Sequence, residues 1–143
     1  MRAQKHNKLS FRPYLTSWTH KKSNVGFYAV ELMNNGLGPA LIESFSIKVD
    51  GKVIPGEKSE PIKKALKILF PKTDYEQKHA YFAKGYSMGA KERKTIVAIQ
   101  FSKNNSPPPA PEIVKHAINR TDLIVNYKSF YEEPFTYSTE DEK

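Results

Sequence analysis

Gly85-Tyr86-Ser87-Met88-Gly89 spells Gly-x-Ser-x-Gly, the pattern of a reactive serine. Such a serine needs a sharp strand-to-helix elbow that lifts its hydroxyl above a sheet. Here the pattern runs into Gly89-Ala90-Lys91-Glu92, a turn, and then into a strand-like run at 95–101, so it reads as part of a turn. The histidines stand at 6, 20, 79 and 116, none within three to five residues of another, which leaves no helical zinc pair. With no cysteine, a disulfide, a thiolate zinc site and a cysteine nucleophile are all excluded. Gly36-Leu37-Gly38 is too short for a dinucleotide loop, and no Gly-Lys-Ser or Gly-Lys-Thr is present to cradle a phosphate. Glu132 and Glu133 are neighbours, and neighbouring side chains on a strand or turn point apart rather than converging on a substrate. Asn104-Asn105-Ser106 and Asn119-Arg120-Thr121 match the glycosylation pattern, which has meaning only in a secretory context. The sequence therefore assigns no catalytic residue, no metal and no cofactor, and the expectation is a non-enzymatic protein.

Charge offers a second kind of chemistry. The chain carries a formal +8, and residues 1–131 hold 22 Lys and Arg against 10 Asp and Glu, a formal +12. Glu132, Glu133, Glu140, Asp141 and Glu142 then form an acidic end. A basic body suits an anionic partner, either nucleic acid or lipid headgroups. Lys78, Tyr81, Phe82, Lys84 and Tyr86 interleave cations with rings, as a strip that stacks bases would. The same alternation describes a strand whose rings face a core and whose lysines face water, and that reading is preferred because arginine is scarce and no nucleic-acid motif is present.

The elements that must position these residues follow from hydrophobic period. Residues 9–16 alternate Leu9, Phe11, Pro13 and Leu15 with polar side chains and read as a first strand, with Pro13 marking an edge or a bulge. Residues 18–24 read as a polar connection. Tyr28, Val30 and Leu32 share one face of the next strand, and Leu41, Phe45, Ile47 and Val49 share one face of the strand after it. Between them lies Asn34-Asn35-Gly36-Leu37-Gly38-Pro39-Ala40, in which Asn35-Gly36 and Gly38 are expected at positive φ while Pro39 fixes the exit. Such a cluster carries a chain from one sheet of a sandwich to the other.

Asp50-Gly51 predicts a two-residue hairpin into Val53-Ile54. The spacing of Ile62, Ala65, Leu66, Leu69 and Phe70, with Ser59 to cap, Pro61 in the first turn and Pro71 as a stop, predicts a helix packed across an open end or face of the sandwich. A strand at 79–88, a core strand at 95–101, a proline-rich loop at 102–111, a helical turn at 112–118 and strands at 123–127 and 135–137 complete the chain. The expected fold is mainly β, an immunoglobulin-like β-sandwich of six to eight strands with one inserted amphipathic helix at about 59–70. It would occupy residues 9–137, after a basic segment at 1–8 and before an acidic tail at 138–143.

His6 to Pro13, with the Asn34–Ala40 cluster and Tyr127-Lys128-Ser129-Phe130-Tyr131, resembles a recurrent group of uncharacterised bacterial proteins. In that group a short N-terminal membrane helix is followed at once by a sandwich domain opening with His-Asn-(Lys/Arg)-Leu-Ser-x-(Arg)-Pro. The resemblance implies a membrane-anchored domain and transfers no catalytic residue. Arg2, Lys5, Lys8 and Arg12 would then be membrane-proximal basic residues, whose charge favours the cytoplasmic face, with the periplasmic face as the alternative. The expected partner is another protein; an anionic membrane surface met through the basic N-terminal segment comes second, and nucleic acid is less favoured.

Overall fold

The computed structural model describes residues 11–79, 82–101 and 108–142. Its strands are β1 (Leu15–Lys22), β2 (Phe27–Asn34), β3 (Ala40–Val49), β4 (Lys52–Val53), β5 (Tyr75–His79), β6 (Ser87–Met88), β7 (Arg93–Phe101), β8 (Thr121–Lys128) and β9 (Pro134–Ser138). Helix α1 (Glu60–Leu69) separates β4 from β5, and α2 (Pro111–Asn119) separates β7 from β8. One antiparallel sheet runs β1-β2-β7-β5 and the other β4-β3-β8-β9, with β6 added to β3. That order is the A-B-E-D sheet against the C′-C-F-G sheet of an immunoglobulin-like sandwich. Leu32, Ile42, Ile96, Phe101 and Val125, all fully buried, fill the space between the sheets.

Several sequence expectations shift, each for a physical reason. The first strand is displaced: residues 11–14 precede it, Pro13 is buried ahead of the ladder, and residues 18–22 belong to β1. The alternation was hidden because β1 turns Leu15, Ser17 and Thr19 inward, so only one of its inward residues is a large apolar one. The strand expected at 79–88 is two: β5 ends at His79, and β6 is the pair Ser87–Met88 laid against Leu41 and Ala40. In β3, a bulge between Ile42 and Ser44 shifts the phase, so Ala40 and Ile42 are buried and Leu41 is only partly so, while Ile47 and Val49 face inward as expected.

The hairpin at Asp50-Gly51 is present, with φ of 53° and 80°, the positive pair that the primed turn requires. Arg120 grips Asp50 through two hydrogen bonds of 2.9 and 2.7 Å, which lowers the Asp50 carboxyl below its ordinary range. Helix α1 buries Ile62, Ala65 and Leu66 on the core and leaves Lys63, Lys64 and Lys67 exposed. Ser59 stands at its N-cap position without a side-chain cap bond. The helical turn expected at 112–118 is the full helix α2, which buries Val114 and Ala117. The acidic end folds back on β8: Asp122 Oδ1 accepts hydrogen bonds from Ser138 Oγ, Thr139 Oγ1 and the Glu140 N–H.

Candidate functional site

The Asn34–Ala40 turn joins the two sheets, as its composition predicts, and it organises one end of the sandwich. Asn34 is completely buried and has all of its side-chain capacity in use. Its Nδ2 donates to the carbonyls of Gly38 (2.9 Å) and Met88 (3.1 Å), and its Oδ1 accepts from the N–H groups of Gly36 (3.0 Å) and Tyr14 (3.1 Å). One amide thus ties together the turn, the β6 segment and the chain entering β1. Asn35 adds a backbone bond to the Tyr14 carbonyl at 2.7 Å and a side-chain bond to Thr16 Oγ1 at 2.6 Å. Pro39, partly buried, leads directly into β3.

The glycines serve a purpose other than the expected one. Asn35, Gly36 and Gly38 do not adopt positive φ. A Cβ on Gly36 would lie 2.2 Å from the Arg12 carbonyl oxygen, and one on Gly38 would lie 1.8 Å from that of Phe11. Gly-x-Gly is a saddle on which the backbone of residues 11–14 rests, and close approach, rather than torsional freedom, is what excludes a side chain.

A second turn completes this end. Buried Ser129 accepts from the N–H groups of Tyr131 and Glu133, both at 3.1 Å, and donates to Glu133 Oε1 at 3.3 Å. Glu132 sits at a φ of 63°, and Glu133 turns to pair with Arg12 at 2.8 Å. Glu132 is exposed, whereas Glu133 is partly buried and engaged by Arg12 and Ser129. Of the proposed basic residues, Arg12 is held by Glu133, while Arg2, Lys5 and Lys8 lie outside the described residues.

Held on this framework, Phe11 (49% exposed), Tyr14 (63%), Leu37 (62%) and Phe130 (67%) face solvent. They sit on three segments locked by the Asn34 amide, the glycine saddle and the Arg12–Glu133 pair. Sequence patterning missed this group because its residues are spread over three segments far apart in the chain. Phe11 and Tyr14 fall inside the strand expected at 9–16, so the one available clue was Leu37 standing in the turn cluster.

The other candidates fall into place around it. Tyr86 hydrogen-bonds Glu92, which together with burial raises its phenol above the ordinary value, and Glu92 also accepts from the Gly89 N–H at 3.1 Å. Ser87 is exposed in the short strand β6, in a strand–turn–strand context. Phe82 is buried and packs on Phe45 and Tyr86 with centroids 5.8 Å apart in each case, and Lys94 Nζ lies 4.3 Å from the Tyr86 ring centre. Phe82 and Tyr86 pack on the core, as the preferred reading expected, but from the connection between β5 and β6 rather than from a strand; Lys78 and Lys84 are exposed and Tyr81 lies outside the described residues. Among the described residues, no three His, Asp or Glu side chains group as a metal site would need, and no helix is long and apolar enough to cross a membrane.

Fold and end together define an immunoglobulin-like sandwich that presents a fixed apolar end. Comparison with protein-family models, with curated proteins and with solved structures returned no match.

Proposed function

We propose that this chain is a non-enzymatic binding domain that recognises another protein through the end formed by Phe11, Tyr14, Leu37 and Phe130. The observation that carries the reading is the exposure of these four side chains on a backbone held by the buried Asn34 amide and the buried Ser129 turn. Aromatic side chains beside an arginine are the composition enriched at protein interfaces, and a rigid frame lowers the entropy lost on binding. The resemblance of His6–Pro13 to anchored bacterial domains supports a membrane tether ahead of this domain. On that reading Arg2, Lys5, Lys8 and Arg12 are membrane-proximal basic residues, and their charge favours the cytoplasmic face.

The test is site-specific photocrosslinking in cells, with the photoreactive residue at position 37 or 130 and a control at position 52 in the opposite hairpin. One defined protein adduct is expected from positions 37 and 130 and not from 52. The purified partner should then bind Phe130→Ser at least about tenfold more weakly, the scale of an aromatic anchor. Equal binding by that variant, or adducts to lipid alone, overturns the reading. The basic excess supports a second reading, a module for nucleic acid or anionic lipid. A complex with oligonucleotides or anionic vesicles that weakens steeply with salt would favour it.

A further inference from the structure

Away from the aromatic end, the two sheets and both helices line a cavity of about 240 Å³ that is partly open to solvent. Its wall is apolar over most of its area, with Ile47, Leu66 and Phe101 among the lining side chains, and the smallest groups that helices α1 and α2 turn to it are the methyls of Ala65 and Ala117. An engineered apolar cavity of about 150 Å³ stays dry and takes benzene, and the space here is larger by roughly half. At roughly 30 Å³ for each water-sized group it holds about eight carbons. Left empty, such a void forfeits the contacts of every atom lining it.

Most of the polar part of the wall lies to one side, apart from Thr121, whose hydroxyl donates to the Ala117 carbonyl. Ser17 and Thr19 come from β1, the outer strand of one sheet, and Thr139 directly follows β9, the outer strand of the other. These three are partly exposed, whereas Ile47, Leu66 and Phe101 are buried. A hydrogen bond of 2.6 Å between Ser17 Oγ and Tyr137 Oη bridges the two outer strands at this point.

We propose that the cavity is a binding site for a single-chain amphiphile of about eight carbons, with its chain between the sheets and its polar end among Ser17, Thr19 and Thr139. The full chain is titrated with octanoate and with 1-octanol, reading the melting temperature and the NMR shifts of the Ala65 and Ala117 methyls. Saturable shifts at both methyls and a dose-dependent rise in melting temperature are expected. Ala117→Leu and the smaller Ala65→Val fill the space: each should weaken binding, Ala117→Leu by at least about tenfold, while the ligand-free melting temperature holds or rises. Absence of methyl shifts, or undiminished binding in Ala117→Leu, overturns the proposal. So does a fall in ligand-free melting temperature in both variants, since that would mean there is no room to fill.

Discussion

Replacing Asn34 with alanine tests the framework of the aromatic end most directly. The substitution removes an amide that is wholly buried and makes four hydrogen bonds to backbone groups. A buried group left unpaired costs about 1–3 kcal/mol. The N–H groups of Tyr14 and Gly36 are only part-buried, so water can replace part of what they lose. The bonds from Asn34 to the Gly38 and Met88 carbonyls are buried and bear most of the loss. The sum is about 3–5 kcal/mol, a large share of the roughly 5–15 kcal/mol that stabilises a domain. In urea titration the midpoint should fall with an unchanged slope. The melting temperature should drop by about 10–20 °C at roughly 3–4 °C per kcal/mol. Asn34→Asp keeps the acceptor but sets a carboxylate oxygen against two carbonyls. It should therefore be at least as damaging at neutral pH, and the deficit should shrink as acid protonates it. Should Asn34→Ala fall within about 1 kcal/mol of the parent, with Asn34→Asp equal to it, the amide is not what holds this end together.

Two further perturbations separate other causes. Gly38→Ala forces a Cβ to within 1.8 Å of the Phe11 carbonyl, so it should cost about 2 kcal/mol or more and release residues 11–14 to proteolysis. Gly51→Ala, at a φ of 80° with nothing within 4 Å, should cost only about 1 kcal/mol; equal losses in the two melts would show that the saddle contacts carry no weight. In alkali, Tyr28, Tyr75 and Tyr127 are raised above the ordinary 10.0 chiefly by burial, and Tyr86 chiefly by its hydrogen bond to Glu92. Folded values above unfolded ones mean that stability is intact below the ordinary tyrosine value and is lost as pH rises through the folded values. Denaturation at stepped pH, followed beside tyrosinate absorbance, should show that loss, and a flat profile across the tyrosine range refutes it.

What the sequence disclosed depended on whether a residue's role is local. The link between the sheets was readable in Asn34–Ala40 and the hairpin in Asp50-Gly51, because turn chemistry acts within a few residues. Helix α1 was readable because Ile62, Ala65, Leu66 and Leu69 recur at helical spacing and Pro71 stops the helix just beyond Phe70. The function of Gly36 and Gly38 was not, since what excludes a side chain there is the backbone of residues 11–14, some 25 positions away in the chain. The bulge at Glu43 was invisible for a related reason: it is defined by pairing with Tyr127 and Asn126 on β8. Strand β1 was expected too early in the chain because its inward Ser17 and Thr19 face a cavity rather than a packed core, and a cavity leaves no apolar alternation to mark residues 17–22. Small residues on the buried faces of two helices, Ala65 and Ala117, were the one local trace of that space.

The glycine saddle also has a mechanical consequence. The β1–β2 ladder begins at Leu15 opposite Asn34, so a pull on the chain ahead of residue 11 would ordinarily peel the strand from that pair onward. Here the load first meets a clamp: the Arg12–Glu133 pair, the Tyr14 N–H on Asn34, and the Asn35 N–H on the Tyr14 carbonyl, all ahead of the first ladder pair. These bonds must yield before any strand detaches. Tension arriving from the N-terminal side is passed to the buried Asn34 and so into both sheets at once, and the domain can bear strain at that end without unravelling from its edge.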